Sequence, residues 1–271
     1  MKLAVNQATL MKTPMEVFLH AISKAGFNGV ELRRDETFEY LKNHTVEDLK
    51  QLLEYNKLKC ITFNAIELFS LCSEEEFGRI YNYTEKLMDI GNQIKCDTII
   101  AVPSFNNDPS LSEEIIISET IERLKKLTDL AEIYNFKLGF EPLGFPNCSV
   151  RKIDLALKII ENEELPKMGL IIDTFHFFIA EHSLNELEKI PLDKLWLIHL
   201  NDAIEKPFNE IQDSHRVLPC QGVFNLNMFV KTLKEIGYDK WLSLELFNEK
   251  IWEEEPYKVA VNSIASIKKI L

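Results

Sequence analysis

Short apolar or β-branched runs alternate along this chain with longer stretches in which apolar residues recur every three or four positions. Eight runs read as strands: Lys2 to Asn6, Gly29 to Arg33, Lys59 to Asn64, Thr98 to Pro103, Lys137 to Glu141, Gly169 to Asp173, Leu195 to Leu200 and Leu242 to Leu246. Helical spacing fills the intervals over Met15 to Ala25, Val46 to Tyr55, Glu74 to Gln93, Glu113 to Tyr134, Lys152 to Asn162, Leu184 to Ile190, Leu226 to Ile236 and Tyr257 to Ile270. Helix starts are marked by Thr45 ahead of Glu47 and Asp48, Ser73 ahead of a glutamate run, and Ser112 ahead of Glu113 and Glu114. The alternation has no Pro/Gly/Ser-rich linker and no low-complexity tract, so it predicts one α/β domain over 1–271, a (β/α)8 TIM barrel. An open doubly wound sheet alternates in the same way, but no GxGxxG or GxxxxGK[ST] phosphate loop follows any predicted strand.

Length and composition agree: 271 residues suit a single barrel, and 46% hydrophobic with 27% charged residues excludes a disordered or fibrous chain. With 43 acidic against 31 basic residues the net charge is −12, which repels phosphate backbones and anionic lipid, so neither nucleic acid nor membrane is an expected partner. Charged residues interrupt every apolar stretch before membrane-spanning length, and the N-terminal run ends at Asn6, too short for a signal peptide. A soluble cytoplasmic protein is therefore expected. Cys60, Cys72, Cys96, Cys148 and Cys220 form an odd, widely spaced set without a CxxC pair, which argues against a disulfide framework and a thiolate zinc site.

A barrel gathers its chemistry at the C-terminal ends of its strands. The last four predicted strands end in Glu141, Asp173, His199 and Glu245, each after an apolar run. Buried carboxylates cost several kcal/mol unless neutralised, so three of them with one imidazole on successive strands point to one divalent metal ion. The mostly hard donor set suits zinc, manganese, magnesium or cobalt, and does not choose among them. Asp213, Ser214 and His215 carry the letters of a catalytic triad, but sequence neighbours do not form that geometry and no nucleophile elbow is present. His20, His44 and His182 fall on predicted helices or caps and read as structural.

The chain resembles the xylose-isomerase-like sugar isomerase/epimerase family nearly end to end, and within it looks most like the inosose isomerases. The likeness rests on Lys-Leu-Ala-Val-Asn-Gln-Ala-Thr at the start, Val-Glu31-Leu-Arg33, Phe-Asn64-Ala65, Ala-Val-Pro103 and Phe-Glu141-Pro-Leu-Gly. It continues through Asp173-Thr-Phe-His176-Phe, Ile-His199-Leu-Asn-Asp202, His215-Arg216-Val-Leu-Pro219 and Ser-Leu-Glu245-Leu-Phe. By this resemblance Glu141, Asp173, His199 and Glu245 hold the metal, the same four residues that the strand ends select. The implied activity is isomerisation or epimerisation of an inosose or related polyol ketone through an enediolate. Glu141 and Glu245 are the expected base and acid, because a monodentate carboxylate ligand keeps one oxygen available for proton transfer. His176, Arg216, Asp202 and Arg33 are the expected substrate contacts, with Glu31 and Glu67 as further pocket candidates or internal ion-pair members. A dehydratase acting on a keto-inositol or dehydroshikimate-type substrate, and a non-catalytic sugar-binding barrel, are the competing readings. A homo-oligomer is compatible with the aromatic residues near Trp252.

One departure stands out. Relatives of this kind carry a glycine where this chain has Cys220; if that backbone requires a positive φ, the cysteine is strained.

Overall fold

The computed structural model describes every residue except 107, 109, 166 and 167. The chain forms strands β1 (Lys2–Asn6), β2 (Gly29–Arg33), β3 (Lys59–Glu67), β4 (Thr98–Val102), β5 (Lys137–Phe140), β6 (Met168–Asp173), β7 (Leu195–Leu200), β8 (Asp202–Ala203), β9 (Arg216–Val217) and β10 (Trp241–Leu244). Strands β1 to β7 and β10 are parallel and close into a barrel in the order β1-β10-β7-β6-β5-β4-β3-β2, with β2 paired back onto β1. β8 and β9 form a separate antiparallel pair in the loop after β7. The strand predictions all land on barrel strands, and differ at the ends: β3 runs on to Glu67, while β5 and β10 stop at Phe140 and Leu244.

Alternation along each strand separates two apolar layers. Leu, Ile and Phe side chains on the outer face pack under the helices in one large cluster. Inside, Ala4, Ile61, Ala65, Ile100, Ile171 and Leu197 fill the lower barrel, with Trp196 and Trp241 packed against them. Gly169 makes room for that packing, since a Cβ there would lie 2.1 Å from the Trp196 ring. These side chains fill the lower interior, and the strand ends that carry Glu141, Asp173, His199 and Glu245 lie at the opposite end.

The helix starts behave as their sequences predict. Thr45 with Asp48, and Ser73 with Glu76, form reciprocal capping boxes, and Ser112 caps its helix alone. Three short helices escape the periodicity: Arg34–Tyr40, Thr174–Ile179 and Glu249–Trp252. Each has at most two turns, too few to display a repeat, and the second opens directly off β6 with the Asp173 side chain accepting from the His176 amide. No helix among the described residues is long and apolar enough to cross a membrane.

The loop after β7 corrects one expectation. Asp202 does not face the barrel mouth: its carboxylate accepts from the backbone amides of Ala203 (2.9 Å), Phe224 (2.9 Å) and Gly222 (3.0 Å). A buried carboxylate needs such donors, and here three amides of its own loop supply them. Gly222 is required for this approach, because a Cβ there would sit 2.1 Å from the Ala203 carbonyl oxygen. Two residues earlier, exposed Cys220 has φ +67°, a left-handed conformation that suits glycine and strains a cysteine. The Cys220→Gly variant is expected to be more stable by about 0.5–1 kcal/mol, the relief of left-handed strain less the added entropy of an unfolded glycine; urea unfolding midpoints measure it.

Candidate metal centre

Asp173 is the last residue of β6 and His199 the penultimate residue of β7, and the two are register partners. Glu141 and Glu245 lie one residue past β5 and β10, yet their amides still bond to the neighbouring strands, at Ala101 O (3.1 Å) and Leu200 O (3.3 Å). The four side chains converge. One donor atom from each of Glu141, Asp173, His199 and Glu245 lies within 4.8 Å of all the others, and all four residues are buried.

A fourth carboxylate, from the opposite wall, decides how the imidazole is presented. Glu31, on β2 and wholly buried, sits 3.1 Å from His199 Nε2, while His199 Nδ1 faces Glu141 Oε1 at 2.8 Å and Glu245 Oε2 at 3.4 Å. Thr62 donates a second hydrogen bond to Glu31 at 2.6 Å. Glu31 accepts from Nε2–H, so Nδ1 is the nitrogen turned toward the acidic cluster, the arrangement in which a carboxylate orients a metal-ligating histidine.

The remaining contacts hold the carboxylates in place. Asn6 Nδ2 donates to Glu245 Oε1 (2.8 Å), and Asn201 Nδ2 donates to Asp173 Oδ2 (3.0 Å). Arg216, carried on β9 and buried, donates through one terminal nitrogen to Asp173 Oδ2 (2.6 Å) and Glu245 Oε2 (3.0 Å), and through the other to Asp213 Oδ1 (2.7 Å). Four buried carboxylates therefore surround one permanent cation and one imidazole, an excess of negative charge that a divalent ion would offset. The donor set fits such an ion in number, hardness and closeness.

Burial and this crowding shift the titrations. Burial raises the carboxyls of Glu141 and Glu245, and pushes Asp173 up to about 6 against the opposing pull of Arg216. Burial opposes charge on His199, but Glu141, Glu245 and Glu31 outweigh it and raise its pKa well above the ordinary histidine value. His176 goes the other way: burial first, and then Arg216, hold it well below that value, so its ring is neutral.

Above the cluster opens a cavity of about 270 Å³. Glu141, Glu245, Arg216 and His176 reach it from below, and Phe105, Phe145, Leu143 and Phe247 form an apolar wall. The polar wall is Arg33, whose guanidinium donates to Asn64 Oδ1 (2.5 Å) and Glu67 Oε1 (2.8 Å). Arg33 and Arg216 both lie over the Phe247 ring, 5.3 Å from its centroid.

The xylose isomerase-like TIM barrel model matches residues 19–270. The chain belongs to that family. It is 30% identical to the inosose isomerase of Halalkalibacterium halodurans over 272 residues, 98% of this chain and 96% of that protein. It is 25% identical to the 3-dehydroshikimate dehydratase of Pseudomonas aeruginosa over 92% of this chain but 38% of the relative. Among solved structures, the IolI protein with a bound zinc atom superposes with a TM-score of 0.94 at 26% identity, covering 100% of this chain and 98% of the other. Near-full-length kinship to inosose isomerases supports an isomerase or epimerase enzyme.

Within this member of the family the strand-end residues Glu141, Asp173, His199 and Glu245 come together, with Arg216, His176 and Arg33 beside them at the cavity. Asp202 does not join them, for the loop-forming reason already given. Glu31 lies inside the barrel behind His199 and away from the cavity wall, and Glu67 pairs with Arg33 at the rim. His176, expected on a loop over the mouth, is fixed in the Thr174–Ile179 helix. Asn6 and Asn201 hydrogen-bond Glu245 and Asp173, contacts that the sequence pattern did not indicate. Asn6 ends β1, and extending the strand-end rule to amides would have found it; Asn201 follows β7 and carries no charge signal.

Two outcomes are expected for zinc added to the purified protein. Glu31→Gln should weaken zinc affinity by roughly 10–100-fold while leaving the fold intact, as read by chelator competition and circular dichroism. Zinc affinity of the unsubstituted chain should also fall by about tenfold or more per pH unit below about 6, because the raised Asp173 carboxyl must lose its proton before it can ligate.

Proposed function

We propose that this chain is a divalent-metal-dependent isomerase of a neutral polyol ketone, an inosose or related ketose, working through an enediolate. The observation that carries the reading is the buried Glu141, Asp173, His199 and Glu245 cluster beneath a cavity with one apolar and one hydrogen-bonding wall. Near-full-length similarity to inosose isomerases supports the substrate class.

The chain's own groups supply the proton chemistry. Glu141 and Glu245 stand after strands separated by β6 and β7, and burial raises both carboxyls above the ordinary range, which makes each a stronger base toward a carbon-bound proton. One carboxylate takes the proton from the carbinol carbon beside the ketone, and the electron pair moves into the enediolate. Return of a proton to the former carbonyl carbon moves the ketone by one position; return to the opposite face of the first carbon inverts it. Arg216 holds Asp173 and Glu245 in register and offers its positive charge beside the oxyanion. A bound divalent ion would supply Lewis acidity to the ketone oxygen.

Charge in the cavity favours a neutral substrate over a carboxylate. Arg33 is committed to Glu67 and Asn64, and Arg216 to Asp173, Glu245 and Asp213. A dehydroshikimate-type carboxylate would have to displace one of these partners, whereas hydroxyls can share them. A cytoplasmic place of action belongs to the same proposal, supported by five cysteines that are all unpaired.

Incubation of the metal-loaded protein in deuterated buffer with a panel of inososes and ketoses tests the reading. Deuterium should enter the substrate at carbon, and Glu141→Gln or Glu245→Gln should slow that exchange by roughly 10²–10⁴-fold. No exchange with any member after metal loading would refute the isomerase reading. A new conjugated ultraviolet absorbance would assign water elimination instead.

A further inference from the structure

Behind His176, on the side away from the cavity floor, lies a second and much smaller hollow with about 10 Å³ of room for a water's centre. It is lined by Asp173, His176, Phe177 and His182 together with Arg151 and Pro142. Two buried nitrogens among these residues lack any hydrogen-bond partner, His176 Nδ1 and His182 Nε2. His176 is 5% exposed and the His182 side chain 2%.

The hydrogen bonds on the other side of each ring fix what these two atoms are. Arg216 sits 3.2 Å from His176 Nε2, and a guanidinium can only donate, so Nε2 accepts and the proton of the neutral ring lies on Nδ1. His182 Nδ1 is 2.7 Å from Glu186 Oε1. The Ser183 amide and hydroxyl, at 2.7 and 2.9 Å, donate to the same carboxylate, so His182 Nδ1 donates to it as well and Nε2 is left as the ring's partnerless nitrogen. The donor His176 Nδ1–H and the partnerless His182 Nε2 thus belong to two residues that line one hollow the size of a single water. Arg151 does not satisfy them, since it donates to the carbonyls of Gly144 (2.7 Å) and Ile179 (2.8 Å).

We propose that an ordered water bridges His176 Nδ1–H and His182 Nε2, making His182 a positioning residue for His176. The hydrogen bonds then run in one direction without a break, from Arg216 to His176, to the water, to His182 and to Glu186, whose side chain is 41% exposed. Five groups oriented head to tail polarise one another and lock the His176 tautomer. His176 Nε2 is consequently held as the acceptor of the Arg216 hydrogen bond at the cavity floor. The water bridge is independent of the reaction proposed above.

Long-range 1H–15N spectra of histidine-labelled protein, with and without added zinc, read the tautomers directly. His176 should appear as the Nδ1–H form with an exchange-protected proton. In His182→Phe that proton should exchange at least tenfold faster, and in His182→Gln, which keeps an acceptor near the Nε2 position, protection should return. A crystal structure should show a water about 3 Å from both nitrogens. His176 as the Nε2–H form, an empty hollow, or an unchanged His176 signal in His182→Phe would each overturn the proposal. Should His182→Phe fail to fold, the tautomer in the unsubstituted protein and the water position decide the question alone.

Discussion

Four carboxylates packed into the upper barrel around one imidazole set the conditions that the surrounding structure meets. Like charges at this spacing repel strongly once water is removed, so each oxygen needs a donor or a cation. Asn6, Asn201, Thr62 and Arg216 are the donors, and they come from β1, the residue after β7, β3 and β9. Strands distant in sequence are thereby tied to one centre. The apolar packing beneath, from Ala4 and Ile61 to Leu197, keeps solvent from relieving the repulsion from below and directs the unsatisfied charge toward the cavity.

The same constraint explains why the active end was readable from sequence. A glutamate or aspartate ending an apolar run is costly, and four metal-competent residues on successive strands leave few structural explanations. The barrel itself was legible because the alternation of runs carries both its order and its polarity. What escaped was whatever depends on contacts between distant segments. Asp202 has the same letter and burial as Asp173, but its partners are the amides of Gly222 and Phe224, some twenty residues on, which no local pattern reveals. Glu31 was noticed at the end of β2, while its bond to His199 crosses 168 positions of chain.

Two kinds of residue share the cavity, and they sit on different supports. The acidic cluster stands on or directly after strands of the closed barrel, where the ladder fixes backbone positions. Phe105, Phe145 and Phe247 stand on connecting segments above it. Side chains on loops can be exchanged without disturbing the barrel below, and the chain's relatives include proteins named as isomerases and as dehydratases.

Cys220 gives this barrel a practical handle. Of the five cysteines it is the one exposed thiol; three are buried and Cys72 is half-buried. It lies in the loop that Asp202 organises, four residues after Arg216. A fluorophore attached there would sit on the segment that delivers the buried guanidinium, and its emission would report whether that loop rearranges when a ligand enters.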